Sequence, residues 1–176
     1  NFFLGGFGPS QPLLRQEQGT SLTVAGLHGT MMGIAAIIAG FIHPKLNHKY
    51  GRRNTSWFGL LIFTIGLPFF ALGPSVQVTL PAVLFSCVGF NFVILNMVTL
   101  LSHHYPDTPD LAVSQSNAIN AVGFVFGTVL VGTLASLGIS WRAGLLLCIP
   151  AAFALYFYGR DKIHDSHDAD APKQIG

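Results

Sequence analysis

The chain has 176 residues, of which 51% are hydrophobic and only 9% are charged, where a soluble domain carries roughly 25% charged residues. That deficit excludes an ordinary water-soluble globule. A formal net charge of +2 with few, localised basic residues excludes a phosphate-tracking nucleic-acid surface.

A membrane-crossing helix needs about 20 mostly apolar residues. Residues 1–14 are fewer and contain Pro9 and Pro12. With no signal-peptide pattern at the start, they fit the outer half of a first helix whose beginning is missing. Residues 15–20 read as a polar turn, with Thr20 or Ser21 as the N-cap of a second helix that reaches about Ile42. In that helix Gly26, Gly29, Gly33, Ala36 and Gly40 recur at intervals of three and four, a small-residue stripe that lets a neighbouring helix approach closely in lipid. Pro44 is expected to end it. Residues 43–53 then form a basic hairpin holding four of the nine Lys and Arg residues. A third helix is expected over 55–72, a turn at Gly73-Pro74-Ser75, a fourth helix over about 78–102 and a polar loop over 103–110. A fifth covers about 112–137 and a sixth 141–158. Cys87 and Cys148 lie singly within these apolar runs and read as small packing residues.

From Arg160 onward the composition turns to Asp, His, Lys and Pro. Residues 1–160 are therefore expected to form one transmembrane bundle, and 161–176 the start of a disordered cytoplasmic linker. Counting crossings outward from the basic hairpin puts seven of the nine Lys and Arg residues on its side and leaves Arg15 and Arg142 on the other. The positive-inside rule makes the hairpin side cytoplasmic.

Six helices with a basic loop between the second and third resemble the N-terminal half of a major facilitator superfamily (MFS) transporter. The family's loop motif is Gly-x-x-x-Asp-Arg/Lys-x-Gly-Arg-Arg/Lys. Lys49, Tyr50, Gly51, Arg52 and Arg53 match its last five positions, with Pro44 at the first Gly and His48 at the acidic position. The fifth helix resembles a second motif, Gly-x-x-x-Gly-Pro-x-x-Gly-Gly, associated with antiporters: Gly123, Gly127 and Gly132 match, while Thr128 replaces Pro and Val131 replaces Gly. The resemblance implies an all-α membrane protein, a six-transmembrane-helix bundle of two three-helix repeats, whose partners are lipid, a small solute and a missing C-terminal half of six helices. It implies a gating loop at His48, Lys49, Gly51, Arg52 and Arg53, with Gly51 supplying the tight turn. The plainer alternative is that the cations only anchor topology against headgroups. Gly29, Gly33, Gly123 and Gly127 would be helix-packing positions.

All seven acidic residues, Glu17, Asp107 and Asp110 among them, are expected in loops or the tail. His28 is then the one titratable candidate within a span, and an interfacial or hydrogen-bonded histidine is the plainer reading. Asn is costly in hydrocarbon unless its amide finds partners. Asn91 and Asn96 on the fourth helix and Asn117 and Asn120 on the fifth are thus either interhelical bonds or, with His28, the lining of a solute cavity. An acid-free, Asn-lined cavity suits a neutral polar solute such as a sugar, moved by alternating access. No cofactor is implied, and coupling to a proton or sodium gradient is compatible with the resemblance. A drug or metabolite antiporter is the first alternative. The second is a multi-pass channel, receptor or membrane enzyme. No nucleophile with a base, no phosphate-binding Gly loop and no cluster of His and carboxylates at one depth points to catalysis.

Overall fold

Prolines and glycines decide where the apolar runs bend. In the computed structural model, which describes residues 1–160, the elements are α1 (Phe2–Gln18), α2 (Leu22–Leu72), α3 (Val76–His104), α4 (Pro109–Ser136), α5 (Trp141–Leu146) and α6 (Cys148–Gly159). The linker expected over 161–176 lies outside the described residues.

α1 runs through Pro9 and Pro12 to Gln18, so residues 15–18 are its last turn rather than a polar loop. Pro9 has no N–H to give to the Gly5 carbonyl, and the Thr128 hydroxyl of α4 reaches that oxygen at 2.9 Å. Gly19, at φ 62°, ends the helix, with its N–H on the Gln16 carbonyl and the Thr20 N–H on that of Arg15. Two carboxylates expected in loops belong to helices: Glu17 lies in the last turn of α1, and Asp110 in the first turn of α4, where the helix dipole favours an anion.

Ser21 caps α2, its Oγ accepting from the Val24 N–H at 3.3 Å. α2 does not stop at Pro44. The carbonyl that Pro44 leaves without a donor is that of Gly40, on an exposed face with nothing packed against it, so the helix continues to Tyr50. It reverses at Gly51, with φ 79° and ψ 160°, a conformation essentially reserved for glycine. The basic hairpin is thus a single-residue turn between two helical arms, 22–50 and 52–72. The far ends of both arms lie at the start of α3: His28 Nε2 of the first arm is 2.9 Å from Thr79 Oγ1, and Gln18 of α1 donates through Nε2 to the carbonyl of Gly73, which ends the second arm, at 3.3 Å and to the same Thr79 hydroxyl at 3.5 Å.

Pro150 cannot donate to the Leu146 carbonyl, and the ladder breaks at Leu147, which keeps helical dihedrals. α5 and α6 therefore continue as one rod. That rod runs antiparallel to the second arm of α2, as Arg142 Nε bonds the Ala71 carbonyl at 2.6 Å and Trp57 meets Tyr156 edge to face at 5.0 Å. α3 packs against the second arm where Gly59 and Gly89 face each other; a Cβ on either would overlap the other's carbonyl oxygen. α1 packs against α4 in the same way, Gly5 on the Phe124 carbonyl and Gly127 on that of Phe2. Rings fill the centre, with Phe3 on Phe63 at 5.2 Å and Phe7 on Phe70 at 5.4 Å.

Among the described residues four helical stretches are long and apolar enough to cross a membrane: Leu22–Leu72, Val76–His104, Pro109–Ser136 and Trp141–Gly159. α1 is not one of them.

Candidate functional site

The Gly51 turn places a buried polar cluster between both arms of α2 and α3. Asn96 Nδ2 donates to the Arg52 carbonyl at 3.1 Å and to Ser56 Oγ at 3.0 Å. Those two acceptors fix the amide, so Oδ1 faces the first arm. There Asn47 Nδ2 donates to it at 2.8 Å, and His43 Nε2 lies 2.9 Å away. An oxygen accepts only from donors, so His43 carries a proton on Nε2. Its 3.2 Å approach to Asn47 Nδ2 is a contact between two donors sharing one acceptor. His43, Asn47 and Asn96 are all buried. Sequence reasoning passed over His43, Asn47 and Ser56. The available signal was the i, i+4 spacing of His43 and Asn47, which stacks two polar groups on one helix face.

Around this cluster, Arg52 Nη2 lies 3.5 Å from His103 Nε2, and Arg53 donates to the Arg160 carbonyl. His48 and Lys49 are exposed on the outer side of the turn, Lys49 standing 5.1 Å above the Tyr50 ring. The turn thus gathers Gly51, Arg52 and Arg53 against the bundle and leaves His48 and Lys49 projecting from it.

The other proposed solute ligands do not converge. Asn91 donates to the Cys87 carbonyl of its own helix at 2.7 Å. Asn117 is exposed and Asn120 half-buried on α4. His28 lies at the opposite end, buried, with Nδ1 3.2 Å from the Ala25 carbonyl and Nε2 on Thr79. At that same end Glu17, in the last turn of α1 and not in a loop, accepts from Trp141 Nε1 at 2.8 Å and pairs with Arg142, which ties α1 to α5.

The expected packing stripe of the second helix faces away from the bundle. Gly26, Gly29, Gly33 and Gly40 have nothing within 4 Å of an added Cβ, and the face that packs carries Ala35, Ala39, His43 and Asn47. On α4, Gly127 touches α1 closely, and Gly123 lies at ordinary contact distance from Phe2.

A cavity of about 440 Å³ lies between α1, the second arm of α2, α3, α4 and α6. Phe2, Phe3, Phe63, Phe90 and Phe126 give it an aromatic wall, with Asn120 on its polar side. Among the described residues, no three His, Cys, Asp or Glu side chains converge where a metal ion could sit.

The family model described as Major Facilitator Superfamily matches residues 1–174. A drug efflux pump, JefA, from each of two strains of Mycobacterium tuberculosis is 29% identical over 161 residues, which is 90% of this chain and 30% of the pump. YycB of Bacillus subtilis, described as an uncharacterized transporter, is 24% identical over 143 residues, 80% of this chain and 35% of YycB. The chain spans about a third of the length of these curated relatives.

Proposed function

The chain belongs to the major facilitator superfamily of transporters, and from that premise we propose that it is one half of a secondary carrier that exports apolar or amphipathic organic solutes. Four helices able to cross lipid make it a multi-pass integral membrane protein. The proposed arrangement is six crossings in two three-helix repeats: α1, the two arms of α2, α3, α4 and the α5–α6 rod. The lengths of the arms support this. The 51 residues of α2 divide at Gly51 into pieces of roughly 44 and 32 Å at 1.5 Å per residue, each enough for roughly 30 Å of hydrocarbon. α1 is the short member.

Lys45, Lys49, Arg52, Arg53 and Arg160 gather at the Gly51 end, and Arg15 and Arg142 at the other, which favours the Gly51 end as cytoplasmic. A second bundle would cover the faces of the first α2 arm and α4 that no helix among the described residues covers. Alternating access would then rock the two bundles about a site between them, with His48 and Lys49 meeting the partner bundle as the cytoplasmic side closes. His28, engaged through both ring nitrogens, is read as a strut rather than a coupling group.

The solute class rests on one observation: Asn91 and Asn96 already spend their amides inside the bundle. That leaves Asn120, which lines the aromatic cavity, and the exposed Asn117, one turn before it on the same face of α4. An aromatic cavity with two amides at its edge suits an amphipathic solute better than a sugar, and the name of the relative JefA, a drug efflux pump, agrees with that choice. Proteoliposomes holding the full-length protein test it. Saturable efflux of amphipathic dyes, reduced about tenfold or more by Asn117→Ala with Asn120→Ala, is expected, on the basis that each amide contributes ~1 kcal/mol. Saturable sugar flux without dye flux would restore the polar-solute reading.

A further inference from the structure

The aromatic cavity is uncharged as well as apolar. Among the described residues no Asp, Glu, Lys, Arg or His side chain lines it, and its amide side chains are those of Asn1 and Asn120. Asn91 and Asn96 bond within the bundle, whereas the Asn120 amide has no hydrogen bond to a described residue. Along α3 the wall runs from Phe90 to Met97, about 10 Å at roughly 1.5 Å per residue. Phe63 of the second arm, Phe126 of α4 and Cys148 of α6 close other sides. The Phe3 ring stands at 82° to Phe63 and at 58° to Phe90, so the wall presents ring faces and ring edges together.

We propose that this cavity selects uncharged solutes built on a fused aromatic ring system with a hydrogen-bonding group, and rejects organic cations and anions. The inference rests on the carrier reading and narrows its solute class. An ionised group brought against this wall would lose its hydration and meet no counter-charge. A charge inside a membrane span is disfavoured by roughly a hundredfold. A flat ring system gains edge-to-face and offset contacts with the phenylalanines. The sulfurs of Met97 and Cys148 add polarisable contacts to an aromatic ring. A saturated solute of the same size receives neither. The Asn120 amide offers a donor and an acceptor, which turns the polar end of the solute toward α4.

Cys148 lines the cavity and Cys87 does not, which gives a readout that needs no transport. Alkylation of Cys148 by N-ethylmaleimide is followed by mass spectrometry in proteoliposomes of the full-length protein, with Met97→Cys as a second thiol on the α3 wall. Phe153→Cys, half exposed and outside the cavity, reports probes that merely partition into the bilayer. Four probes of similar size are compared: naphthalene-2-carboxamide, its decahydro analogue, 2-naphthoate and trimethyl(2-naphthyl)ammonium. The aromatic carboxamide should slow alkylation at both cavity thiols saturably and leave Phe153→Cys unchanged. Its half-protecting concentration should be roughly a hundredfold below those of the two ions and about two- to tenfold below that of the decahydro analogue. Asn120→Leu should raise it about fivefold. Equal protection by either ion would overturn the proposal. So would equal slowing at Phe153→Cys, or no slowing at either cavity thiol by the carboxamide. Saturable dye efflux without protection leaves the carrier reading standing while this inference fails. Protection without flux of any solute does the reverse.

Discussion

Asn96 shows how a single side chain can organise a turn it does not belong to. It sits on α3, yet its amide holds the Arg52 carbonyl just after Gly51 and accepts from Asn47 just before it. Asn96→Ala would take away the acceptor of the buried Asn47 amide, at about 1–3 kcal/mol, while the Arg52 carbonyl keeps the Ser56 hydroxyl at 2.9 Å. The expected result is a lower melting temperature in detergent, together with slower transport per inserted molecule in the full-length carrier. A drop in insertion with unchanged transport per molecule would make Asn96 purely structural. Gly51→Ala should be costly for a different reason. At φ 79° any Cβ is strained, at about 1–3 kcal/mol, whatever space surrounds it. Of these two residues only Gly51 was legible beforehand, because its role depends on the local motif around it. Asn96 depends on partners 40 to 53 positions away, and an isolated Asn in an apolar run looks the same whether it faces a helix or a solute.

Glycines on α2 and α4 look alike in sequence and behave differently as parts of elements. Gly127 is pressed against the Phe2 carbonyl, whereas Gly33 meets nothing within 4 Å. Gly127→Leu should therefore separate α1 from α4 and destabilise the bundle by at least 1–3 kcal/mol. Gly33→Leu should leave the melting temperature of these 176 residues unchanged and impair transport only when the second bundle is present. Equal melting shifts for the two variants would show that the small-residue face of α2 packs within this half after all. Thr128 adds a finer case. It stands where the antiporter-type motif has Pro, and its hydroxyl serves the carbonyl that Pro9 leaves open. Thr128→Val should cost about 0.6–1.7 kcal/mol, the range of interhelical hydrogen bonds in membranes, measurable as a modest shift in unfolding. Pro44 was expected to stop a helix, and it did not, because the carbonyl it orphans faces outward and no neighbour is pushed aside.

For the whole molecule, the distribution of cations and the folding back of α2 make a joint prediction about topology. A reporter fused after Arg53 should be accessible from the cytoplasm and one in the turn at Gly138 from outside. The opposite result would reverse the proposed sidedness, and both on one side would remove a crossing. The sequence by itself determined that this chain is a helical membrane protein with a basic turn near residue 50, because continuous apolar runs of about 20 residues cross a bilayer as helices, and Lys and Arg are held to one side. Those constraints act on each segment separately and can be read segment by segment. The tertiary structure alone decided which polar groups are already satisfied, which glycine face is covered and which lies open. Each of those outcomes depends on what a neighbouring helix presents at the same depth, and residues distant in the chain supply that neighbour.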